Sequence, residues 1–585
     1  MLCRVVCLWA VCWPMCDLMA QVDPAATARF RELGARFINE YPALSPVGAT
    51  ELGDHRFDHL LDDLAPESFE QQREFFIRWL QQIEGIDREA LERQDQVDRA
   101  LLVRFLKKRL WELDRLQEYR WNPILYTQLI GGSIYGLMSR EFAPVPDRLR
   151  SVTARLEQFP RCLAQVREIL VPARVPPVHA ETAVKQNRGV LSILRNMVEP
   201  QLAELSDTEQ QRLRKAIETA RAAIEEHQLW LEQQLLPQAR GDFRLGLELF
   251  DEKLERALSG ALTRAEVRER AEAALRRVRG EMYEIARSVL GTENWPAVPS
   301  AEQQQQAIIA ALEKVHRDLP PRDGIVTAAE RSMELTTEFV KSRDLITLPP
   351  DPLRIIVMPE FQRGVSVAYC DSPGPLEVGQ QTYYAVAPLP EDWTDEQCDS
   401  FLREYNIRSI HNLTIHEAMP GHFVQLCFAN RYPSVLRAVL ASGTFIEGWA
   451  CYAERMCIQE GFLADDPLMQ LVVRKWQLRG IANALLDQGI HVHGMNREQA
   501  MQLMIHDTFQ EEREAAGKWV RAQVTSAQLS TYFVGEQEHD DLRAAAESAW
   551  GNEFSLKRYH DAVISHGSPP VRFVKALLLN EPIGD

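Results

Sequence analysis

Residues 414–422 read Thr-Ile-His-Glu-Ala-Met-Pro-Gly-His, and this stretch decides the fold and the chemistry expected of the chain. In HExxH metal sites, two histidines one helical turn apart bind zinc, and the glutamate between them activates water. His416 and His422 are six residues apart, about 240° around an unbroken helix, so they could not share an ion there. The intervening Pro-Gly pair predicts a break that returns His422 to the face of His416 and Glu417.

The third ligand is expected from a later helix, because a catalytic zinc takes three protein ligands and a water molecule. Residues 447–454 read Glu-Gly-Trp-Ala-Cys-Tyr-Ala-Glu, which places Glu447 and Glu454 on one helix face. We assign Glu447 to the metal and Glu454 to the imidazole N–H of a histidine ligand, although the reverse assignment stays open. A lone His-Glu pair or a glutamate pair spaced by seven is usually solvated, so the prediction depends on their conjunction.

Upstream of these motifs, three short runs of β-branched and aromatic residues, at 353–358, 365–369 and 382–386, predict a small sheet. The last of them could offer a free edge to an extended peptide, or it could belong to a core hairpin. Most of the remaining chain repeats apolar residues at helical spacing, and Thr263 and Glu266 form the capping-box signature of a helix start. The predicted fold is therefore mainly α, with a small sheet beside the helix that carries His416 and Glu417.

The chain has 585 residues and a net charge of −18, from 66 Lys and Arg against 84 Asp and Glu. This acidic balance argues against a protein that binds nucleic-acid phosphates, and 45% apolar residues exclude wholesale disorder. A chain of this length suits two or three packed subdomains. We predict an N-terminal helical subdomain over 21–340 and a C-terminal one over 341–585, which carries the sheet and the metal-site helices, within one continuous domain.

Residues 1–20 contain one cation, Arg4, followed by an apolar run as long as the core of a signal peptide. They predict export to the periplasm or cell envelope, with a cleaved leader or with a lipid on Cys12 or Cys16. The alternative is a start codon assigned too early, which would leave a cytoplasmic protein. No other segment is apolar enough for a transmembrane helix. The six cysteines after the leader are scattered and predict buried thiols rather than a disulfide scaffold.

Taken together, the two motifs resemble the bacterial family called domain of unknown function 885, whose members are regarded as zinc metallopeptidases. Further blocks along nearly the whole chain are similar to signatures of this family, at 49–58, 241–246, 487–491, 532–535 and 554–568. Members often carry Pro-Gly before the glutamine that precedes the tyrosine block, whereas Ser526-Ala527 stands here. The family is similar in plan to large helical zinc peptidases. The resemblance implies a cleft between helical halves, lined by a short antiparallel sheet.

A zinc peptidase also needs a hydrogen-bond donor for the negative charge that develops on the substrate carbonyl. Tyr532 and His566 are the candidates, with Glu417 as general base and with His491 and Arg479 as supporting residues. Tyr532 and His566 each have a structural alternative, because the tyrosine could be a core aromatic residue and the histidine could cap a helix end.

The leading hypothesis is a peptidase of the bacterial envelope that holds one Zn²⁺ per chain and hydrolyses short peptides by metal-activated water. Two other hypotheses stay open. One is a helical envelope binding protein with a non-catalytic metal site, and the other is a zinc hydrolase that acts on non-peptide amides or esters. Glu417 argues against the binding protein, because a structural zinc site does not need that carboxylate.

Overall fold

The computed structural model describes most of the chain after the predicted leader. The described residues are 22–260, 262–358, 367–377, 379–390 and 393–584. Helices dominate these residues, and the predicted mainly α class is confirmed. The leader, with Cys12 and Cys16, lies outside them. Among the described helices, none combines the length and the low charge that a membrane span requires.

The N-terminal third folds into helices that line two neighbouring hydrophobic cores, one around Trp79 and the other around Phe159. These helices are α1 (Pro24–Glu40), α2 (Pro46–Leu52), α3 (Pro66–Glu84), α4 (Arg93–Trp111), α5 (Ile124–Met138), α6 (Val145–Leu156), α7 (Phe159–Ile169), α8 (Pro177–Ile193), α9 (Asp207–Trp230) and α10 (Leu236–Gln238). Proline stands in the first turn of several of them, where its missing N–H leaves no bond unmade. These prolines therefore indicate, from the local sequence alone, where several of the helices begin.

The middle of the chain adds α11 (Gly246–Ala257), α12 (Arg264–Leu290), α13 (Ala301–Val315) and α14 (Ile325–Ser342). The predicted capping box is present at the start of α12, where Thr263 accepts a hydrogen bond from the backbone of Glu266 and the Glu266 side chain accepts one in return. This exchange satisfies two of the backbone donors that every helix start leaves unpaired.

A sheet of three strands follows α14, made of β1 (Leu353–Val357), β2 (Ala368–Asp371) and β3 (Thr382–Val386). The strand order is β1-β3-β2, with β1 parallel to β3 and β2 antiparallel to β3. The sheet is therefore mixed, and the prediction that it is antiparallel is correct only for the β2–β3 pair. The prediction of a free edge on β3 is wrong, because β3 is paired on both sides. Residues 365–366 of the predicted second strand lie outside the described residues.

The remaining helices follow the sheet and carry the predicted site residues except His566, which lies between the last two of them. They are α15 (Asp395–Glu404), α16 (Ile407–Glu417), α17 (His422–Ala429), α18 (Val435–Val439), α19 (Gly443–Gln459), α20 (Pro467–His491), α21 (Arg497–Met501), α22 (Glu512–Val524), α23 (Ser530–Trp550), α24 (Leu556–Ile564) and α25 (Val571–Leu578). The most interior of them are α16, α19 and α20, which are buried along most of their length.

The hydrophobic cores join residues from both sides of the subdomain boundary predicted at residue 340. Tyr283 and Val315 of the N-terminal half share a core with Leu478 of α20 and Phe533 of α23. The core around Trp79 likewise includes residues of α18 and α25. The two halves therefore bury apolar surface against each other, which is the main stabilising contribution in a protein of this size.

Helices α19 and α23 cross at a pair of glycines. A Cβ atom added to Gly448 would lie 2.3 Å from the carbonyl carbon of Gly535, and one added to Gly535 would lie 2.1 Å from Thr444 O. Backbone therefore packs directly on backbone, which only glycine permits. The crossing fixes Glu447, the neighbour of Gly448, relative to the first turn of α23.

Candidate metal centre

The helix break predicted between the two histidines is present. Helix α16 ends at Glu417 and α17 begins at His422. In the connecting turn, the Gly421 N–H donates to Ile415 O over 2.9 Å, so the chain folds back on the last turn of α16. A Cβ at Gly421 would lie 1.9 Å from His416 O, and this position therefore requires glycine. The turn brings the rings of His416 and His422 together, with centroids 4.6 Å apart.

Three donor atoms converge at this break. His416 Nε2 lies 3.7 Å and His422 Nε2 lies 3.5 Å from Glu447 Oε2, and all three atoms lie within 4.8 Å of one another. These separations are too long for hydrogen bonds, and the buried Glu447 Oε2 has no hydrogen-bond partner within the described chain. Four donors at about 2.0–2.1 Å from a tetrahedral zinc are about 3.3 Å apart, so the set fits this ion closely.

The orientation of His416 is fixed from behind by Glu454. His416 Nδ1 lies 2.6 Å from Glu454 Oε1, and Asn412 Nδ2 donates to Glu454 Oε2 over 2.6 Å. Because a carboxylate only accepts hydrogen bonds, Nδ1 carries the imidazole proton and the Nε2 lone pair is free for a metal. This geometry agrees with the roles assigned to Glu447 and Glu454 and speaks against their reversal.

The charges around the centre favour a cation. Burial alone would lower the pKa of His416, but Cys451, Glu447 and Glu454 raise this pKa well above its usual value. Burial alone would raise the pKa of Glu447, but the neighbouring imidazoles of His416 and His422 hold it well below the usual range. The pocket thus stabilises one positive charge beside a carboxylate, and a divalent ion satisfies the same requirement.

A second group of possible ligands, made of His416, Cys451 and Glu454, lies behind the first. Here Glu454 is 2.6 Å from His416, a hydrogen-bond distance and much shorter than the separation of two ligands on one zinc. Burial raises the pKa of Cys451 to about 12, so its thiol keeps its proton near neutral pH. These three residues support the centre and do not form a second metal site.

Glu417 stands beside the donor set, as predicted. Its carboxylate is buried, and Oε2 accepts a hydrogen bond of 3.0 Å from the backbone N–H of Cys370 on β2. Burial raises the pKa of Glu417, while the nearby histidines lower it. One carboxylate oxygen is therefore held by the sheet, and the group has the raised proton affinity expected of a general base.

Tyr532 lies in the first turn of α23, near Glu447. Its hydroxyl oxygen accepts hydrogen bonds from Arg521 Nη2 at 3.1 Å and from Gln528 Nε2 at 3.3 Å. Burial raises the pKa of Tyr532, and the negative charge of Glu447 raises it further. With two donors on its oxygen, the phenol directs its own proton elsewhere. The structure thus places Tyr532 within electrostatic range of the predicted metal ligands.

His491 supports the segment that carries Tyr532. Its Nε2 lies 2.7 Å from Thr525 O and 3.0 Å from Ala522 O, so this nitrogen donates to the end of α22. Its neighbour on α20, Asp487, accepts hydrogen bonds from the Ala527 and Ser530 backbone N–H groups. His491 therefore fixes the loop before α23, and its predicted supporting role acts through this loop, away from the metal donors.

The loop before α23 has an unusual backbone at Ala527, whose φ is +62°. Residues with a Cβ rarely adopt this left-handed conformation, which glycine adopts readily. The Asp487 carboxylate, which accepts the Ala527 N–H over 3.0 Å, holds the strained residue in place.

Two further predicted site residues lie outside this group. Arg479 forms a buried ion-pair network with Glu404 and Glu514, with N–O distances of 2.9 and 2.6 Å, and it links α20 to α15 and α22. His566 lies beside Arg437, and burial lowers the pKa of its imidazole to about 4. Within the described residues, no hydrogen bond or ion pair connects either side chain to the three donors. The catalytic role of His566 stays a prediction without a contact that supports it.

Several residues of the site carry no motif that marks them in the sequence. Asn412 is four residues before His416, so its helix face could have been deduced from α-helical spacing. The Cys370 N–H is a backbone group, and Arg521 and Gln528 reach Tyr532 from another helix and a loop. Only the fold brings these last three groups to the site.

Comparison with known proteins gives a matching family and two similar structures. The family model described as "Bacterial protein of unknown function (DUF885)" matches residues 46–578. The chain belongs to the DUF885 family. A structure described as a "putative lipoprotein of unknown function" from Shewanella oneidensis is 32% identical, with a TM-score of 0.79, and the match covers 94% of this DUF885 chain and 99% of that one.

A second structure shares the fold of this DUF885 protein. It is described as a "putative lipoprotein" from Colwellia psychrerythraea, with 17% identity, a TM-score of 0.77, and coverage of 95% of this chain and 98% of that one. No match was found among curated proteins. The comparisons therefore establish the family and the fold, and the chemistry has to be argued from the site.

Proposed function

We propose that this DUF885 protein is a zinc-dependent hydrolase that cleaves peptide bonds, with the metal on His416, His422 and Glu447. The observation that carries the proposal is the convergence of three donor atoms without hydrogen-bond partners of their own, next to the buried carboxylate of Glu417. A site that only stored or transported zinc would not need that fourth group.

Zinc bound to these three residues would polarise a carbonyl group and make water more acidic. Glu417 accepts the proton of the attacking water and passes it to the leaving amine, because it lies beside the donors and, unlike Glu454, is not engaged with His416 and Asn412. The Cys370 N–H holds Oε2 of Glu417. Its other oxygen, Oε1, is therefore the one assigned to the proton.

Tyr532 supplies the remaining part of the proposed mechanism. Arg521 and Gln528 both donate to its oxygen, so the phenol proton is free to be donated to the oxyanion of the substrate. Glu454 and Asn412 keep His416 in the tautomer that binds metal. Each of these residues therefore has one task that its contacts explain.

The proposed location is the bacterial envelope, by export. Two observations support it: the signal-like residues 1–20 and the description of both similar structures as putative lipoproteins. A lipid anchor on Cys12 or Cys16 fits the same observations. The N-terminus of protein purified from envelope fractions would test this, since an intact Met1 on cytoplasmic material would favour a misassigned start codon.

A Glu417→Gln variant tests the catalytic proposal. Glutamine keeps the size of the side chain but does not take up a proton, so digestion of a peptide library should slow by about 10² to 10⁴ with zinc content unchanged. Glu334→Gln, at an exposed position within α14, is the matched control and should keep full activity. Equal activity of Glu417→Gln and wild type would refute the assignment. Zinc-loaded protein that cleaves simple esters or amides but no peptide would favour the hydrolase of non-peptide substrates. Zinc-loaded protein that cleaves none of these compounds would favour the binding protein.

A further inference from the structure

Two cations of α22 lie near each other, and one of them, Arg521, contacts Tyr532. Lys518 and Arg521 are three residues apart and therefore occupy neighbouring positions on one face of the helix. Arg521 Nη2 donates to the Tyr532 hydroxyl and to Gln528 Oε1, at 3.1 and 3.2 Å, and both of these partners are neutral. Within the described chain no carboxylate forms an ion pair with Arg521.

Lys518 is the more unusual of the two. Only 7% of its surface is exposed, and within the residues that the structure describes its ammonium group has no hydrogen bond and no ion pair. Removing an unpaired ammonium from water is costly, and burial lowers the pKa of Lys518 to about 7. A buried, unpaired ammonium group of this kind usually has a function, such as binding a negatively charged ligand.

The neighbouring basic residues of α20 show the contrast. Lys475 and Arg479 both bind the Glu404 carboxylate, at 2.7 and 2.9 Å, and Arg479 also binds Glu514 at 2.6 Å. The carboxylates closest to Lys518 are therefore already engaged with other cations. The charge of Lys518 is left for an anion that comes from outside the protein.

The position of these cations connects them to the metal centre. The negative charge of Glu447 raises the pKa of both Arg521 and Tyr532, so the guanidinium group and the phenol lie within electrostatic range of this proposed zinc ligand. A substrate bound at the metal would extend past Tyr532 toward α22. The group it presents there meets the positive charges of Lys518 and Arg521.

We propose that Lys518 and Arg521 form an anion subsite beside the metal centre, which binds a carboxylate of the peptide substrate. The inference rests on the proposed function for the identity of the substrate as a peptide. A carboxylate in this position comes from the free C-terminus of a short peptide or from an Asp or Glu side chain. The guanidinium of Arg521 provides the planar pair of donors that carboxylates prefer, and Lys518 provides a second charge.

Calorimetry with zinc-loaded Glu417→Gln protein, which should bind without turnover, tests the subsite. The probes are N-acetyl-Ala-Ala-Ala-Ala with a free C-terminus, its C-terminal amide, and the amide of N-acetyl-Ala-Ala-Glu-Ala. At least one of the two anionic probes should bind 10-fold or more tightly than the neutral amide. Preference for the free C-terminus assigns the subsite to the end of the chain, and preference for the glutamate peptide assigns it to an acidic side chain.

Lys518→Met and Arg521→Gln, each added to Glu417→Gln, should remove most of this preference. Arg513→Gln, at an exposed position of the same helix, is the matched control and should leave it intact. Lys518→Met should not lower the melting temperature, because it replaces an unpaired buried charge with an apolar side chain of similar length.

Equal affinity for all three probes, no binding of any probe, or a preference that survives in both variants would overturn the subsite. The result is separable from the proposed function. Peptide cleavage by wild-type protein with equal affinities would refute the subsite alone, whereas a charge-dependent preference without peptide cleavage would refute the peptidase alone.

Discussion

Gly448 and Gly535 touch backbone to backbone where α19 crosses α23, at a distance that leaves no room for a methyl group on either residue. This contact places a proposed metal ligand and a proposed proton donor on two helices that meet at one point. Glu447 directly precedes Gly448, and Tyr532 lies one turn before Gly535. The spacing between ligand and donor is therefore set by the packing of two glycines.

A Gly448→Ala substitution should separate the helices and destabilise the protein. Its Cβ would lie 2.3 Å from the carbonyl carbon of Gly535, and overpacking of a rigid contact typically costs about 1–3 kcal/mol. Gly480→Ala in α20 is the control, since nothing lies within 4 Å of its Cβ and alanine favours a helix by about 1 kcal/mol over glycine. In urea denaturation, the free energy of unfolding should fall for Gly448→Ala and rise for Gly480→Ala. A Gly448→Ala protein as stable as wild type would contradict the described crossing.

Purified wild-type protein should contain about one zinc per chain, and His422→Ala should lose most of it. The substitution removes one of three ligands, and the remaining pair cannot complete the coordination that holds this ion. His506→Ala is the control, because that side chain is exposed on the surface. Elemental analysis after dialysis measures the difference. Full zinc content in His422→Ala would show that the metal, if present, binds elsewhere.

Loss of Asn412 should weaken metal binding without removing a ligand. Asn412→Leu breaks the hydrogen bond of 2.6 Å to Glu454 Oε2, and Glu454 in turn orients His416. Partners of this kind are commonly worth about 10- to 100-fold in metal affinity. Competition with a chromophoric chelator should detect the change. The same affinity in Asn412→Leu and wild type would mean that Glu454 keeps its position without Asn412.

The network around Glu404 should make stability depend on pH in the acid range. Burial alone would raise the pKa of Glu404, but Lys475 and Arg479 lower it to about 2, below the value of about 4.3 in an unfolded chain. The lowered pKa stabilises the folded state by about 3 kcal/mol above roughly pH 5, and this contribution is lost as the pH falls toward 2. Glu404→Gln lacks the titrating group.

The test is the difference in unfolding free energy between wild type and Glu404→Gln, measured by urea denaturation at pH 7, 5 and 3. The difference should be largest at pH 7 and should shrink at pH 3. A Glu334→Gln variant should follow the wild type at every pH, since its side chain is exposed. A constant difference across the series would show that folding leaves the pKa of Glu404 unchanged.

Much of the fold followed from local chemistry. Helix starts at Thr263 and Thr394 carry their own caps, and strand β3 begins and ends at the predicted residues. The parallel pairing of β1 with β3 did not follow, because strand order is decided by what the strands pack against, and the sequence does not state this. Hydrophobic periodicity and capping residues identify the individual helices and strands, whereas the arrangement of these elements depends on tertiary contacts.

The meeting of His416, His422 and Glu447 was predictable because one rule joins them: a Pro-Gly break returns His422 to His416, and a later helix provides the carboxylate. Arg479 and His566 were selected without such a rule. In the structure, Arg479 forms an ion pair with Glu404, and His566 lies beside Arg437. Lys518 gave no signal, because burial without a partner is a property of the folded chain alone. Spacing within a helix is encoded locally, and contacts between distant helices are not.

The last helix has a consequence for the order in which the chain can fold. Phe573 and Ala576 of α25 share a hydrophobic core with Phe30 and Phe37 of α1. The core around Trp79 therefore lacks part of its apolar wall until α25 has left the ribosome. Contacts that join residues this far apart in the chain form slowly, and the apolar face of α1 stays exposed until they are made.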